Sequence, residues 1–454
     1  MTATLTKGNE TKALLLFSVP MILGNLLQQL YNVVDTLIVG RTLGPNALAA
    51  VGASYALMVL LTSIILGLCM GSGIVFAQLF GAGRIEELKI SIVNAFVLIC
   101  VLTLVIDIVA FLLLDQLVVW LNVPVEAMSY MIDYLKIIFL GMGFVFIYNF
   151  FAAALRSIGN TMIPLLFLGI AAVINAVLDV VLIVNFNMGI EGAAVATIIA
   201  QGVSAVLIAI YFFKKAKSIC PQRSHMRYDK KLLVLVVNNS ILTSIQQSIM
   251  NFGILMIQGL VNSFGVTVTA AFAIVVKIDA FAYMPAQDFG NAFATFIAQN
   301  AGAKEHKRIY KGTLAAAKLS IAFCAIASLL VCYFARPLML LFIEPKEIEI
   351  IKLGVQYLHI EGACYMGIGI LFLLYGFYRG LGKSQMSIIL TVFSLGTRVV
   401  LAYLLAPIPE IGLLGIWWAI PIGWVLADII GILYGVIKKE KLLVLEHLED
   451  RIQI

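Results

Sequence analysis

Charge is what this sequence has least of. Of its 454 residues only 12% are Asp, Glu, Lys or Arg, while 62% are hydrophobic. Soluble domains carry about 25% charged residues, because a water-facing surface needs them. Histidine is scarcer still, with four residues at His225, His306, His359 and His447, all in polar breaks or near the ends of apolar runs. There is no HExxH, no Ser-Lys or Ser-His arrangement and no paired aspartate motif of an intramembrane protease, so no enzyme activity is expected. The six cysteines (69, 100, 220, 324, 332 and 364) lie mostly within apolar runs and show no CxxC spacing. They read as small packing residues, and neither a disulfide framework nor a resident cofactor is expected. Alternating segments of barrel-strand length are missing too.

Present instead are apolar runs of about 20 residues or more, each long enough to cross a hydrocarbon core of about 30 Å as a helix. Twelve are expected, at 13–39, 47–79, 91–118, 130–155, 161–185, 190–214, 233–262, 267–300, 313–334, 351–378, 385–406 and 411–437. The fold class is therefore an all-α polytopic membrane protein. The opening "MTATLTKGNETK" is polar and does not resemble a cleavable signal peptide. The net charge of +6 does not call for nucleic acid, because the basic residues follow topology. Most cluster in alternate loops: "KKAKSICPQRSHMRYDKK", "KEHKRIYK", "KKEK" and the loops holding Arg84, Arg156 and Arg379. The positive-inside rule then puts both termini and the 214–231 loop in the cytoplasm.

The chain repeats itself. "LRSIGNTMIP" around Arg156 answers "YRGLGKSQMS" around Arg379, an offset of 223. "AQLFGAG" at Ala77 recurs as "AQNAGAK" at Ala298, and "GIEGAA" at Gly189 as "GLLGIW" at Gly412. Residues 1–225 and 226–454 are thus two six-span lobes. An even number of spans makes them parallel repeats, the architecture of many transporters, with a cleft expected between them.

Polar residues inside the spans mark candidate sites, since each is costly in lipid unless paired or hydrated. Asn25, Gln28, Asn32 and Asp35 share one face of the first helix. Asn175 and Asp179 are i, i+4 neighbours in the fifth span, and Thr197 lies in the sixth. At 1.5 Å per residue both aspartates lie about 9 Å from the outer surface, and Thr197 about 12 Å. The set suits a proton, a sodium ion or an organic cation. The competing reading for Asp35 is a hydrated residue near the interface.

The second lobe does not copy the set: Asn175 meets Arg398 and Asp179 meets Ala402 at the repeat offset. Arg398 needs an acidic partner or water. Lys277 is expected to pair with Asp279 or Asp288, while Asp107 and Asp428 are further acids without a role. Pro20 interrupts the first helix 15 residues before Asp35, where it acts as a hinge or a fixed kink.

In order along the chain, "QQLYNVVDTLIVGRTLG", "AQLFGAGR", "ALRSIGNTMIP", "NAVLDVVLI" and "GIEGAAVAT" resemble the multidrug and toxic compound extrusion (MATE) transporters of the prokaryotic kind. The resemblance covers essentially the whole chain. It implies a V-shaped pair of lobes, alternating access, and export of lipophilic, mostly cationic compounds against a proton or sodium ion. It also implies that Asp35, Asn175, Asp179 and Thr197 form the coupling site and that Pro20 is the first-helix proline. Gln28, Asn32 and Asp35, on the polar face of the first helix, are expected to bind substrate. Some members carry C-lobe acids in the seventh and tenth helices. Here the seventh has Gln246 and Gln247, and "CYMGIGILFLLYGFYRG" in the tenth has none, so coupling is placed in the N-lobe. The expected partners are the bilayer and small amphipathic or cationic substrates, with no nucleic acid. A monomer in the cell membrane is expected. The alternative is a flippase for a lipid-linked precursor, whose anionic head group would want basic residues such as Arg398 and Lys277.

Overall fold

The computed structural model describes residues 5–120 and 125–438, so His447 and the end of "KKEK" lie outside the described residues. The helices are α1 (Glu10–Leu43), α2 (Pro45–Gly81), α3 (Ile85–Leu112), α4 (Leu114–Trp120), α5 (Val125–Leu140), α6 (Met142–Ser157), α7 (Met162–Asp179), α8 (Gly189–Lys215), α9 (Lys230–Asn262), α10 (Val266–Gly302), α11 (His306–Tyr333), α12 (Ala335–Leu340), α13 (Ile348–Ala363), α14 (Tyr365–Gly380), α15 (Ser384–Leu405) and α16 (Leu413–Ile437). A π-helical stretch, Val180–Asn185, follows α7 directly. No strand occurs among the described residues.

Ten of these helical segments are long and apolar enough to span a membrane. Two more spans arise as bent pairs: α5 with α6, at 46°, and α13 with α14, at 50°. Each pair was expected as one continuous run. At the first bend sits Gly141, where a Cβ would lie 2.8 Å from Ile198 Cγ1, so the crowded corner excludes a side chain. The third span was expected at 91–118, but α3 starts six residues earlier. Its first turn carries Glu86 and Glu87, which complement the helix dipole, and Arg84 pairs with Glu87 at 2.5 Å. Polar first turns therefore extend beyond what an apolar run reveals, and α11, starting at His306 and not at 313, repeats the effect.

The repeat is written into the turns. Left-handed backbone positions recur in register: Gly44 with Gly265, Gly83 with Lys304, Gly159 with Gly382 and Gly189 with Gly412. In the α6–α7 and α14–α15 turns, Gly159 and Gly382 take φ of 87° and 71°, values that L side chains rarely adopt.

By packing, the chain forms two compact units: residues 23–244, and residues 5–22 together with 245–438. The repeat boundary near residue 225 and these packing boundaries differ, because α1 and α9 each belong to both units. In the first unit, glycines on α2 admit the beginning of α9. A Cβ on Gly67 would lie 2.8 Å from the backbone N of Ser244, and Ser72 Oγ meets Ser240 Oγ at 2.9 Å. In the second unit, Arg308 of α11 holds the strap before α1 through the carbonyls of Leu5 (3.0 Å) and Lys7 (3.3 Å), while Leu5 is fully buried. The second unit's core is knit by α10 and α14: a Cβ on Gly290 would lie 2.6 Å from the Phe372 carbonyl oxygen, and one on Gly380 2.6 Å from that of Ala294.

Candidate functional site

In the first unit, four helices converge on a buried polar cluster. Helix α1 contributes Asp35, 7% exposed, and Tyr31 one turn before it. Helix α7 contributes Asn175 and Asp179, both fully buried. The i, i+4 spacing stacks them on one face, and the Asn175 amide in its satisfied orientation donates to Asp179 Oδ2 at 2.9 Å. The oxygen of the same amide accepts from the backbone N–H of Thr197 on α8 at 3.3 Å. Tyr31 donates to Thr197 Oγ1 at 3.2 Å and so ties α1 to α8. The carboxyls of Asp35 and Asp179 come within hydrogen-bonding reach of each other. Tyr134 of α5, 4% exposed, stands in the electrostatic field of both.

The sequence-predicted set Asp35, Asn175, Asp179 and Thr197 is thus brought together. Gln28 and Asn32 sit differently: Gln28 is exposed and Asn32 half-buried, while the buried position of this stretch of α1 is Asp35. Pro20 is buried inside α1, two residues before the helix passes from one unit to the other. The residues that sequence reading missed here are Tyr31 and Tyr134. The signal for Tyr31 was its i, i+4 relation to Asp35, masked because an aromatic in an apolar run looks like ordinary lining.

Directly after Asp179 the helix widens into its π turn, with Phe186 N bonding to Val181 O at 3.1 Å. Gly192 of α8 lies against this turn: a Cβ there would be 3.3 Å from the Leu182 carbonyl carbon. A π segment at a polar cluster is a common accompaniment of function, since it changes which side chains face inward.

Chemically, the cluster is an oxygen-rich pocket with uncompensated acid. Asp35 Oδ1 and Asp179 Oδ1 are buried without a hydrogen-bond partner, and no ion pair among the described residues reaches either carboxyl. Two carboxyls in this contact either share a proton or bracket a cation. The two orphaned oxygens, the Asn175 amide oxygen and the Thr197 hydroxyl are hard donors of the kind a proton or sodium ion requires.

In the second unit the structure corrects two expectations. Lys277 is exposed and pairs with neither Asp279 nor Asp288. Asp279 is buried and accepts a hydrogen bond from Tyr365. Glu361, also buried, lies in the last turn of α13, just ahead of the acid-free stretch that argued against any carboxylate in the tenth span. Its carboxyl is an electrostatic neighbour of that of Asp279, and Arg398 is a charge neighbour of both. Asp107 and Asp428 each keep one buried oxygen without a partner.

A family model described as MatE matches residues 20–181 and 240–404. The chain belongs to the MatE family. It is a membrane transporter of the multidrug-efflux family and not an enzyme. It is similar to the probable multidrug resistance protein YpnP of Bacillus subtilis, 32% identical over 391 residues and covering 86% of each chain. It is similar also to the multidrug export protein MepA of Staphylococcus aureus, at 23% identity over 96% of each. Among solved structures, an outward-facing multidrug resistance MATE family transporter matches with a TM-score of 0.92 at 24% identity, over 97% of this chain and 98% of that one. A MOP-superfamily transporter from Pyrococcus furiosus, with a binding pocket described as of reversed polarity, matches at TM-score 0.91 and 24% identity, over 97% and 98%. These structures share the helical MatE fold.

Proposed function

We propose that this MatE protein exports lipophilic, mostly cationic compounds from the cell by alternating access, in exchange for a proton or a sodium ion bound at Asp35, Asn175, Asp179 and Thr197. The observation that carries this reading is the Asp35–Asp179 contact, a pair of buried carboxyls without a basic partner among the described residues. Such a pair attracts a cation when ionised and releases it when a proton or metal ion cancels the charge. Driving ion and cationic cargo then exclude each other, and by linkage each weakens the other's binding by the same factor. Relatives named as multidrug resistance and multidrug export proteins support the cargo class. Basic loops on one side support a cytoplasmic location for both termini, and the protein works as a monomer in the cell membrane.

The flippase reading rests on Lys277 and Arg398. Lys277 is exposed, and Arg398 lies beside two acids, so neither offers a free basic cavity for an anionic head group. The test is transport in proteoliposomes with sodium and proton gradients imposed separately. Efflux of a lipophilic cationic dye driven by one of the two supports the reading and identifies the ion. Movement of lipid-linked precursors alone, with no dye transport under either gradient, replaces it with the flippase.

A further inference from the structure

In the first unit, the segment joining α8 to α9 is held against the start of α3. His225, 4% exposed, is its buried anchor. Its Nδ1 accepts from the backbone N–H of Gln222 at 2.9 Å, which leaves the ring proton on Nε2, and Nε2 donates to Glu86 Oε2 at 2.6 Å. Two residues on, the Arg227 carbonyl accepts from Asn94 Nδ2 of α3 at 3.1 Å. Asp229 Oδ1 then accepts from the backbone N–H of Leu232 at 3.1 Å and caps α9. These bonds make the segment a built surface and not a free tether.

Charge and apolar surface meet on it. Residues 214–231 hold seven lysines and arginines against one acid, Asp229. All seven basic side chains are exposed, and none has an ion-pair partner among the described residues. The acids of the neighbouring α3 turn are engaged elsewhere, Glu86 by His225 and Lys89, and Glu87 by Arg84. Among the cations stand Met226 and Tyr228, 68% and 71% exposed, on either side of the residue whose carbonyl Asn94 holds.

The depth of that anchor identifies the partner. Asn94 lies nine residues into α3, about 14 Å along the axis from Ile85 at 1.5 Å per residue. The exposed apolar face of α3 begins at Val97, about 4.5 Å further on, and continues through Val101 and Leu104. In a helix long and apolar enough to span a membrane, this is where hydrocarbon begins. Met226 and Tyr228 are therefore pinned at headgroup level, where tyrosine is enriched. The cations around them adjoin the ends of two spans, α8 and α9. A polybasic segment beside a span attracts anionic lipid, and at this depth the surface meets headgroups before any soluble acidic partner.

We propose that residues 214–231 form a binding surface for anionic phospholipid headgroups, with the cations on the phosphates and Met226 and Tyr228 entering the interface beside them. His225, Glu86 and Asn94 are positioning residues that set the depth of this surface. It is separate from the Asp35–Asp179 pair and independent of which ion or cargo the protein carries.

The test places the photo-crosslinker p-benzoylphenylalanine at position 228 of the full-length protein, in nanodiscs of equal parts phosphatidylglycerol and phosphatidylcholine, and reads the adducts by mass spectrometry. Phosphatidylglycerol adducts should exceed phosphatidylcholine adducts by about threefold or more. The preference should fall towards parity at about 0.5 M salt, where surface charge is screened. It should fall likewise in a Lys214→Gln, Arg223→Gln, Lys230→Gln, Lys231→Gln variant. The same crosslinker at position 403 should show no preference: Tyr403 is 47% exposed and lies in the stretch 399–437, which has no lysine or arginine. Parity at position 228 in low salt, an equal preference at position 403, a preference that survives high salt, or adducts to protein alone overturns the proposal. If the fourfold variant does not fold, the salt series on the parent protein still decides. Dye efflux is not read, so a failure here is distinct from a failure of the export reading.

Discussion

Asp35 on α1 and Asp179 on α7 lie within hydrogen-bonding reach of each other, with no ion pair to either among the described residues. Asn175 steadies Asp179, and Tyr31 and Thr197 complete the ring around them. This closed polar contact among apolar helices is the feature on which the export reading turns.

Neutralising one member should uncouple transport while preserving the fold. Asp35→Asn keeps size and shape and removes an intramembrane charge, which relieves a cost. Efflux normalised to membrane expression is expected to fall by about tenfold or more, within the usual range of coupling factors. Asp179→Asn should behave in the same way, whereas Asp428→Asn, on α16 in the other unit, should retain most activity. Near wild-type pumping by Asp35→Asn, with coupling intact, would return Asp35 to a hydrated-interface role.

Tyr31→Phe deletes only the hydroxyl that donates to Thr197 Oγ1. A neutral hydrogen bond contributes about 0.5–1.5 kcal/mol, so efflux should drop by roughly twofold to tenfold and not vanish. Because the tyrosine acts through the position of α1 against α8, the pH profile of efflux should also move. An unchanged profile with unchanged rate removes Tyr31 from the site.

Close glycine contacts in the second unit predict a stability difference that is blind to transport. Gly290→Val forces a side chain into the Phe372 backbone, 2.6 Å from its carbonyl oxygen. Overpacking of this kind costs about 1–3 kcal/mol or more, so the melting temperature in detergent should fall clearly. Gly259→Ala, with nothing within 4 Å of the added Cβ, serves as the control and should leave stability equal or slightly higher.

Orientation can be read at Cys220, in the loop between α8 and α9. Burial pushes its thiol up, an effect that Lys89 partly offsets. Since the thiolate is the reactive form, labelling should be slow at neutral pH and accelerate as pH rises. In intact cells an impermeant maleimide should leave Cys220 unlabelled at any pH, while inside-out vesicles should label. Ready labelling of intact cells reverses the topology.

Much of the architecture is legible in the chain because the bilayer imposes a simple rule. Each crossing needs about 20 apolar residues, and each polar group within it needs a reason. Asp35, Asn175 and Asp179 stood out on that ground, and i, i+4 spacing placed the last two on one face. Glu361 did not stand out. It sits in "YLHIEGACYMG", where a bend between α13 and α14 makes a carboxylate near a run's polar start into a buried one. Tyr31 and Tyr134 escaped for the opposite reason: in a sequence with 27 Phe and 16 Tyr, an aromatic in an apolar run carries no signal of its own.

The sequence by itself determined the number and approximate place of the spans, the two-fold repeat and the intramembrane cost of Asp35 and Asp179, since all three follow from local composition and spacing along single helices. Only the tertiary structure decided which of those groups meet. Asp35 and Asp179 touch because α1 and α7 pack in one unit, and Arg398 answers to Glu361 and Asp279, with Lys277 left outside, because three other helices and a bend converge there. Helix periodicity fixes the face on which a side chain stands, but the partner across that face is set by interhelical packing, which no single segment encodes.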